Sequence, residues 1–390
     1  MPIMRLSRYG NILEDCFRKE DFMIRVLQVV THMNRGGLET MLMNYYRHID
    51  RTQVQFDFLT HREYDGDYGE EIKTLGGIIY HLPVLNPFSN SYKAALRSFF
   101  KEHPEYQIVH VHQDCLSSVI LKEAKKCKVP VRIAHSHNSS QDKNIKYPIK
   151  MFWRLFIPKY ATDLLACSND AGKWMFRGED FSVLNNAIDA ELYKYSPQRK
   201  SEQRTKLGIL ENELVVGHVG RFSPAKNHAF LLDIFYEIRK QIPSKFLLVG
   251  DGELRSDIEK KIADLKLQDR VILTGVRDDV ADLLQAMDVF VFPSHYEGLP
   301  VTMIEAQAAG LPCLISDKVP IECKKTDLVR QLPLSAGAKV WATAVIDAAK
   351  TDRLDTYSEI KNAGFDIAEN ARKLQKYYLN AAIGEKGCLY

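Results

Sequence analysis

From residue 24 onward, short apolar runs alternate with segments whose apolar residues recur at helical spacing. Met23–Val30 and Val54–Leu59 read as strands, and between them Leu38, Met41, Leu42, Tyr45 and Ile49 mark one face of a helix. The rhythm continues through Gly77–His81, Ile108–His112, Val129–Ala134 and Leu164–Cys167. Short, mostly apolar strands separated by plausible helical crossovers form a βαβ rhythm, which predicts a parallel sheet. The first sheet is expected over roughly residues 24–187. A second follows a polar stretch and uses Leu214–Val219, Phe246–Val249, Val271–Thr274, Val289–Phe292 and Leu311–Ser316, with helices such as Ala229–Gln241 and Leu254–Leu265 between them.

The pattern predicts an α/β protein of two doubly wound, Rossmann-like domains facing each other across a cleft. The expected boundaries are an N-terminal extension at 1–22, a first domain at 23–190, a linker at 191–212 and a second domain at 213–363. The last segment, 364–390, carries a helix that either closes the second domain or crosses back to the first. Residues 1–22 are rich in charge and precede a methionine at the first strand, so they read as an upstream extension or an early start codon.

Composition narrows the function classes. With 390 residues, 45% of them hydrophobic and 26% charged, the chain can bury two cores. A net charge of +3 is too small for a nucleic-acid binder, which needs a concentrated basic face. Cys16, Cys115, Cys127, Cys167, Cys313, Cys323 and Cys388 are scattered, with no CxxC, which suits a reduced setting. No apolar run approaches the roughly 18 residues of a membrane span, so a cytoplasmic location is expected.

The densest chemistry is Glu297-Gly-Leu-Pro-Val-Thr-Met-Ile-Glu305, just after the strand Val289–Phe292. Gly298 permits a sharp bend, and Pro300 suits the first helical turn, which puts Glu297 in a loop and Glu305 inside the helix. Free N–H groups of Val301 and Thr302 would then seat a phosphate, with Leu299 in the same turn. Carboxylates on either side suit polyol recognition, one for a sugar and one for a ribose. Two water-exposed glutamates favoured by the helix dipole are the ordinary alternative. The position beyond a parallel strand's carboxyl end favours a ligand site.

Arg221 and Lys226 occupy Val219-Gly-Arg-Phe-Ser-Pro-Ala-Lys-Asn227, the loop after the second domain's first strand. There a planar guanidinium and a point charge could neutralise a departing diphosphate. Gly250-Asp-Gly252 and Gly275-Val276-Arg277 are strand-end turns that either pass close to a nucleotide or serve only as turns. In the first domain, Asn34-Arg-Gly36-Gly37-Leu-Glu39 lets backbone approach a ligand, but it is not GxGxxG, which argues against a nicotinamide dehydrogenase.

Two His-x-His pairs, His110/His112 and His135/His137, lie at strand ends with each pair on one face, so a metallohydrolase is a rival reading. The segment Lys143–Lys159 holds five cations, no acid, and Tyr147, Phe152, Trp153 and Phe156. It is a candidate anionic-membrane surface, although its apolar side chains could equally face the core.

With Gly36-Gly37, His137, Gly220-Arg221, Lys226 and the Glu297/Glu305 pair in this order, the chain resembles glycosyltransferase family 4 over about residues 24–382. The resemblance implies the GT-B fold and a retaining, hexosyltransferase-type enzyme. It implies a nucleotide-sugar donor, a UDP-sugar, used without a metal or other cofactor, and a C-terminal helix that crosses back. Arg221 and Lys226 would hold the donor diphosphate, Glu305 the ribose, Glu297 the donor sugar, and His137 would sit at the reacting centre. The wider likeness to bacterial capsule and exopolysaccharide transferases implies a lipid-linked or saccharide acceptor and a peripheral position at the inner membrane face. Asn227 stands where many relatives have Gly, and Lys318–Glu322 lacks a glycine often found there. A sugar-nucleotide epimerase or hydrolase, and a non-catalytic nucleotide-sugar-binding subunit, are the alternatives on the same fold.

Overall fold

A computed structural model describes residues 23–139, 145–385 and 389. The extension expected at 1–22, with Cys16, lies outside them, as do Lys143 and Cys388.

Among the described residues, thirteen strands form two wholly parallel sheets. The first contains β1 Ile24–Val29, β2 Val54–Thr60, β3 Ile79–His81, β4 Ile108–Val111, β5 Val131–Ser136, β6 Asp163–Ala166 and β7 Ser182–Val183, in the order β3-β2-β1-β4-β5-β6-β7. The second contains β8 Leu214–Val219, β9 Ser244–Val249, β10 Val271–Leu273, β11 Val289–Phe292, β12 Cys313–Ser316 and β13 Val329–Leu332, in the order β10-β9-β8-β11-β12-β13. Each sheet reverses its winding once, between β1 and β4 and between β8 and β11. The loops leaving those strands diverge there and open a crevice.

Alternation along the central strands divides each domain into two apolar layers. Val26 packs with Phe56, Phe58 and Tyr46 on one face of the first sheet, while Leu27 and Val29 meet Val109, Val111 and Leu121 on the other. In the second sheet Val215 and Val216 likewise enter opposite cores. Both faces are therefore dry, and the polar ends of the strands are left for chemistry.

The helix Ile367–Ala382 packs on the first domain. Ile367, Leu374, Tyr377 and Tyr378 complete the core around Val26 and Phe56, and the Tyr378 hydroxyl lies 2.7 Å from His110 Nδ1. Asp366 caps this helix by accepting from Glu369 N–H at 2.9 Å, and it pairs in parallel with Ile188 where the chain first leaves that domain. The polypeptide thus passes between the domains twice at one joint.

The expected linker at 191–212 is corrected by the structure. It forms part of the helix Ala190–Tyr193 and the helix Pro197–Lys206, which are packed on the second domain. The polar residues that suggested a linker are its fastenings: the buried Arg204 bonds to the Ala286 carbonyl and pairs with Asp288, which Lys200 also reaches at 2.7 Å. Pro197 sits at the start of its helix, where a missing N–H costs nothing. The edge strands β7 and β13 were not expected, because two-residue and half-exposed strands carry little apolar signal. β5 begins at Val131, two residues beyond the expected Val129.

Candidate functional site

The loop after β8 is held in shape by the neighbouring one. Phe222 N–H donates to Asp251 O and Leu254 N–H to Phe222 O, at 2.9 and 3.0 Å. A Cβ on Gly252 would lie 2.5 Å from the Phe222 carbonyl oxygen, so this glycine has a packing role whatever ligand approaches. Arg221 is 74% exposed and pairs with Glu253 at 3.0 Å. Lys226 ends a 3₁₀ turn and is followed by Asn227 at φ 57°, the left-handed region that glycine fills most easily and asparagine tolerates. The departure from glycine at Asn227 therefore keeps the backbone path.

Lys226 Nζ lies 2.8 Å from Glu297 Oε1, both side chains mostly buried, and 4.6 Å from the centre of the Phe292 ring. The helix that follows is Val301–Ala308, with Pro300 as its N-cap rather than inside its first turn. Proline offers no capping oxygen, and no intrahelical acceptor exists for Val301 and Thr302 N–H. Thr302 Oγ1 is buried beside them and has no hydrogen-bond partner among the described residues. A helix start with open donors and an unpartnered hydroxyl can donate hydrogen bonds to an anion, and Lys226 reaches the loop that leads into it through Glu297.

Glu305, one helical turn further in, accepts a 2.9 Å hydrogen bond from Tyr193. Burial pushes its carboxyl up to about 7. Sequence reasoning missed Tyr193, which belongs to the supposed linker; no local pattern announces a contact with a residue so distant in the chain.

Across the cleft, Gly36 caps the helix Gly37–His48. A Cβ on Gly36 would meet Glu39 Oε2 at 2.4 Å, and burial lifts Glu39 to about 7. Gly37 has open space beside it. Arg35 approaches Asp278 at 3.9 Å, and with Asp67, Val276 and Arg277 these residues line an interdomain cleft of about 600 Å³. Arg277 is tied to Asp279 at 2.7 Å, so Val276, 58% exposed, is the more open of the two.

His137 follows β5, and its backbone carbonyl oxygen lies 3.6 Å from where Gly298 would carry a Cβ. Gly298 of one domain thus approaches His137 of the other. Leu299 leans on the second domain's apolar core, and Arg221 and Gly252 belong to the loops after β8 and β9. Burial holds the His137 imidazole neutral, at about 3.

The two His-x-His pairs come together. His110, His112 and His135 bring ligand atoms within 4.8 Å of one another, and all are buried and held neutral by desolvation. Both ring nitrogens of His112 are occupied, however, Nδ1 by His137 Nε2 at 2.8 Å and Nε2 by Gln28 Oε1 at 2.9 Å. That leaves two of these imidazoles with open nitrogens, one short of the three protein ligands usual at a catalytic zinc.

The helix Tyr147–Arg154 buries none of its residues completely. Trp153 and Met151 lean on the first domain's layer around Val109 and Leu121, whereas Ile149, Phe152 and Leu155 are exposed, and Phe88 from another loop stands against Trp153 with ring centres 6.5 Å apart. The described part of the basic aromatic segment thus faces both ways, part core and part outer patch.

Known proteins share this architecture. Residues 35–192 match the family model described as Glycosyltransferase Family 4, and residues 199–324 match that of glycosyl transferases group 1. EpsF of Bacillus subtilis (strain 168), which carries a provisional glycosyltransferase name, is 38% identical over 91% of this chain and 96% of its own length. The UDP-Gal:alpha-D-GlcNAc-diphosphoundecaprenol alpha-1,3-galactosyltransferase of Escherichia coli is 32% identical over 55% of this chain and 58% of its own. Among solved structures, Anabaena HepE in complex with UDP and glucose superposes with a TM-score of 0.72 at 20% identity, covering 90% of this chain and 98% of HepE.

Proposed function

The chain belongs to glycosyltransferase family 4, and from that premise we propose that it transfers a sugar from a UDP-sugar, with retention of configuration, to a lipid-linked saccharide in cell-surface polysaccharide synthesis. The observation that carries this reading is the Lys226–Glu297 pair at the loop that leads into the open start of the helix Val301–Ala308, where Thr302 Oγ1 is unpartnered. UDP bound to HepE and the diphosphoundecaprenol acceptor in the Escherichia coli enzyme's name support the choice of donor and acceptor.

On this reading the donor diphosphate takes Lys226 from Glu297 and accepts hydrogen bonds from the first-turn N–H groups and Thr302. Arg221, freed from Glu253, closes over it. Glu297 then turns to a hydroxyl of the donor sugar, and Glu305 binds the ribose. As the bond from anomeric carbon to phosphate lengthens, negative charge grows on UDP, where the cations and the helix start are already in place. The leaving phosphate takes the proton of the acceptor hydroxyl as it attacks from the same face. The chain's own cations thus supply the charge stabilisation for which other enzymes use a divalent metal.

The exposed Phe152, Ile149 and Leu155, with the surrounding lysines, suit a monolayer surface where a lipid-linked acceptor resides. Among the described residues no helix is long and apolar enough to cross a membrane.

The test is to incubate the protein with a panel of UDP-sugars, with and without polyprenyl-diphosphate-linked sugars. UDP release that requires the acceptor, with an α-linked product from an α-linked donor, is the expected result. Consumption of donor alone points instead to an epimerase or hydrolase. UDP binding itself is read by thermal shift, since a ligand at 100 times its dissociation constant adds about 2.7 kcal/mol of stability.

A further inference from the structure

Gln28 is fully buried near the carboxyl end of β1, where a polar side chain needs partners. Its Oε1 lies 2.9 Å from His112 Nε2, and its Nε2 donates to the Tyr378 hydroxyl at 3.2 Å. An amide oxygen only accepts, so His112 carries its proton on Nε2. Burial keeps His112 neutral, which leaves its Nδ1 as a lone pair. That lone pair lies 2.8 Å from His137 Nε2, which must therefore donate. At the far end, the Tyr378 hydroxyl accepts the Gln28 amide hydrogen and lies 2.7 Å from His110 Nδ1. One direction of donation thus runs through the chain of bonds from His137 to Gln28, and Gln28 in turn donates to Tyr378.

We propose that Gln28 and His112 are positioning residues that fix His137 as the Nε2–H tautomer, so that its bare Nδ1 is offered to a hydroxyl of the reacting sugars, with Tyr378 setting the orientation of the Gln28 amide. The role rests on the reading of His137 as part of the transfer site. It explains why a glutamine is fully buried in a central strand, and why a tyrosine of the crossing helix reaches the first sheet. Turning the amide over would reverse the bonds and place the proton on His137 Nδ1, making it a donor. The tautomer is therefore the quantity to measure.

Nitrogen-15 spectra of the histidine-labelled wild-type protein, with His112 and His137 assigned by single substitutions, should show both as Nε2–H. The Gln28→Leu variant should show His137 as a mixture of tautomers, and its kcat for UDP release should fall about 10- to 100-fold with donor KM nearly unchanged. A wild-type enzyme that transfers sugar with His137 protonated on Nδ1 overturns the proposal and leaves the transfer reading standing. So does a Gln28→Leu variant with wild-type turnover, or one stoichiometric divalent metal lost on His112→Asn substitution, because His112 would then be a ligand. An Nε2–H His137 in a protein with no transferase activity overturns both the transfer reading and the positioning role. The wild-type spectrum decides the tautomer whether or not the variant folds.

Discussion

Tyr193 and Glu305 share a 2.9 Å hydrogen bond that ties the joint between the domains to the donor side of the cleft. Its carboxyl is buried and pushed from 4.5 up to about 7. Between those values the folded protein holds a proton that the unfolded chain has released, so this group makes stability fall as pH rises from about 4.5 to about 7. Above that window the full penalty applies. Glu305→Gln should therefore raise stability at pH 8 by up to about 3 kcal/mol, at about 1.4 kcal/mol per pKa unit, with the gain vanishing near pH 4.5. Urea titrations of both proteins across pH measure it. The same variant should weaken UDP binding if Glu305 holds the ribose.

Lys226→Ala leaves Glu297 without its counterion. Turnover should fall about 10²- to 10³-fold, the usual cost of one preorganised stabilising group. Steady-state assays of acceptor-dependent UDP release check this. Near-normal turnover would remove Lys226 from the mechanism.

If Lys226, Arg221 and the helix start supply all the positive charge, EDTA should leave the rate of transfer within about twofold. The comparison is made with chelator-treated protein, with and without added magnesium or manganese. A rate restored only by a cation would assign the diphosphate to that ion.

Phe152 is 53% exposed on a helix flanked by basic residues. Phe152→Glu should lower binding to vesicles containing anionic lipid about tenfold without changing activity on a short-chain, water-soluble acceptor. Co-sedimentation at low and high salt measures this. Equal binding by wild-type protein to neutral vesicles would refute anionic docking.

The strand and helix rhythm was readable because most central-strand residues are apolar and alternate into opposite cores, as Val215 and Val216 do. The Glu297 turn was readable because a glycine, a proline and two carboxylates fall within one short segment. What escaped depends on contacts distant in sequence. Tyr193 and Arg204 both fell within the expected linker, and nothing near Gln28 foretold that it would meet Tyr378 from the other end of the chain. Pro300 was placed one residue too far into its helix, because composition cannot separate a proline cap from a proline in the first turn.

The paired crossings at Ile188 and Asp366 leave the last helix as part of the first domain's core. A single cut in the gene therefore cannot yield either lobe intact: a fragment stopping near residue 190 would expose the bed on which Tyr377 and Tyr378 lie. Isolating the amino-terminal half would require splicing residues 366–385 onto it through a short bridge.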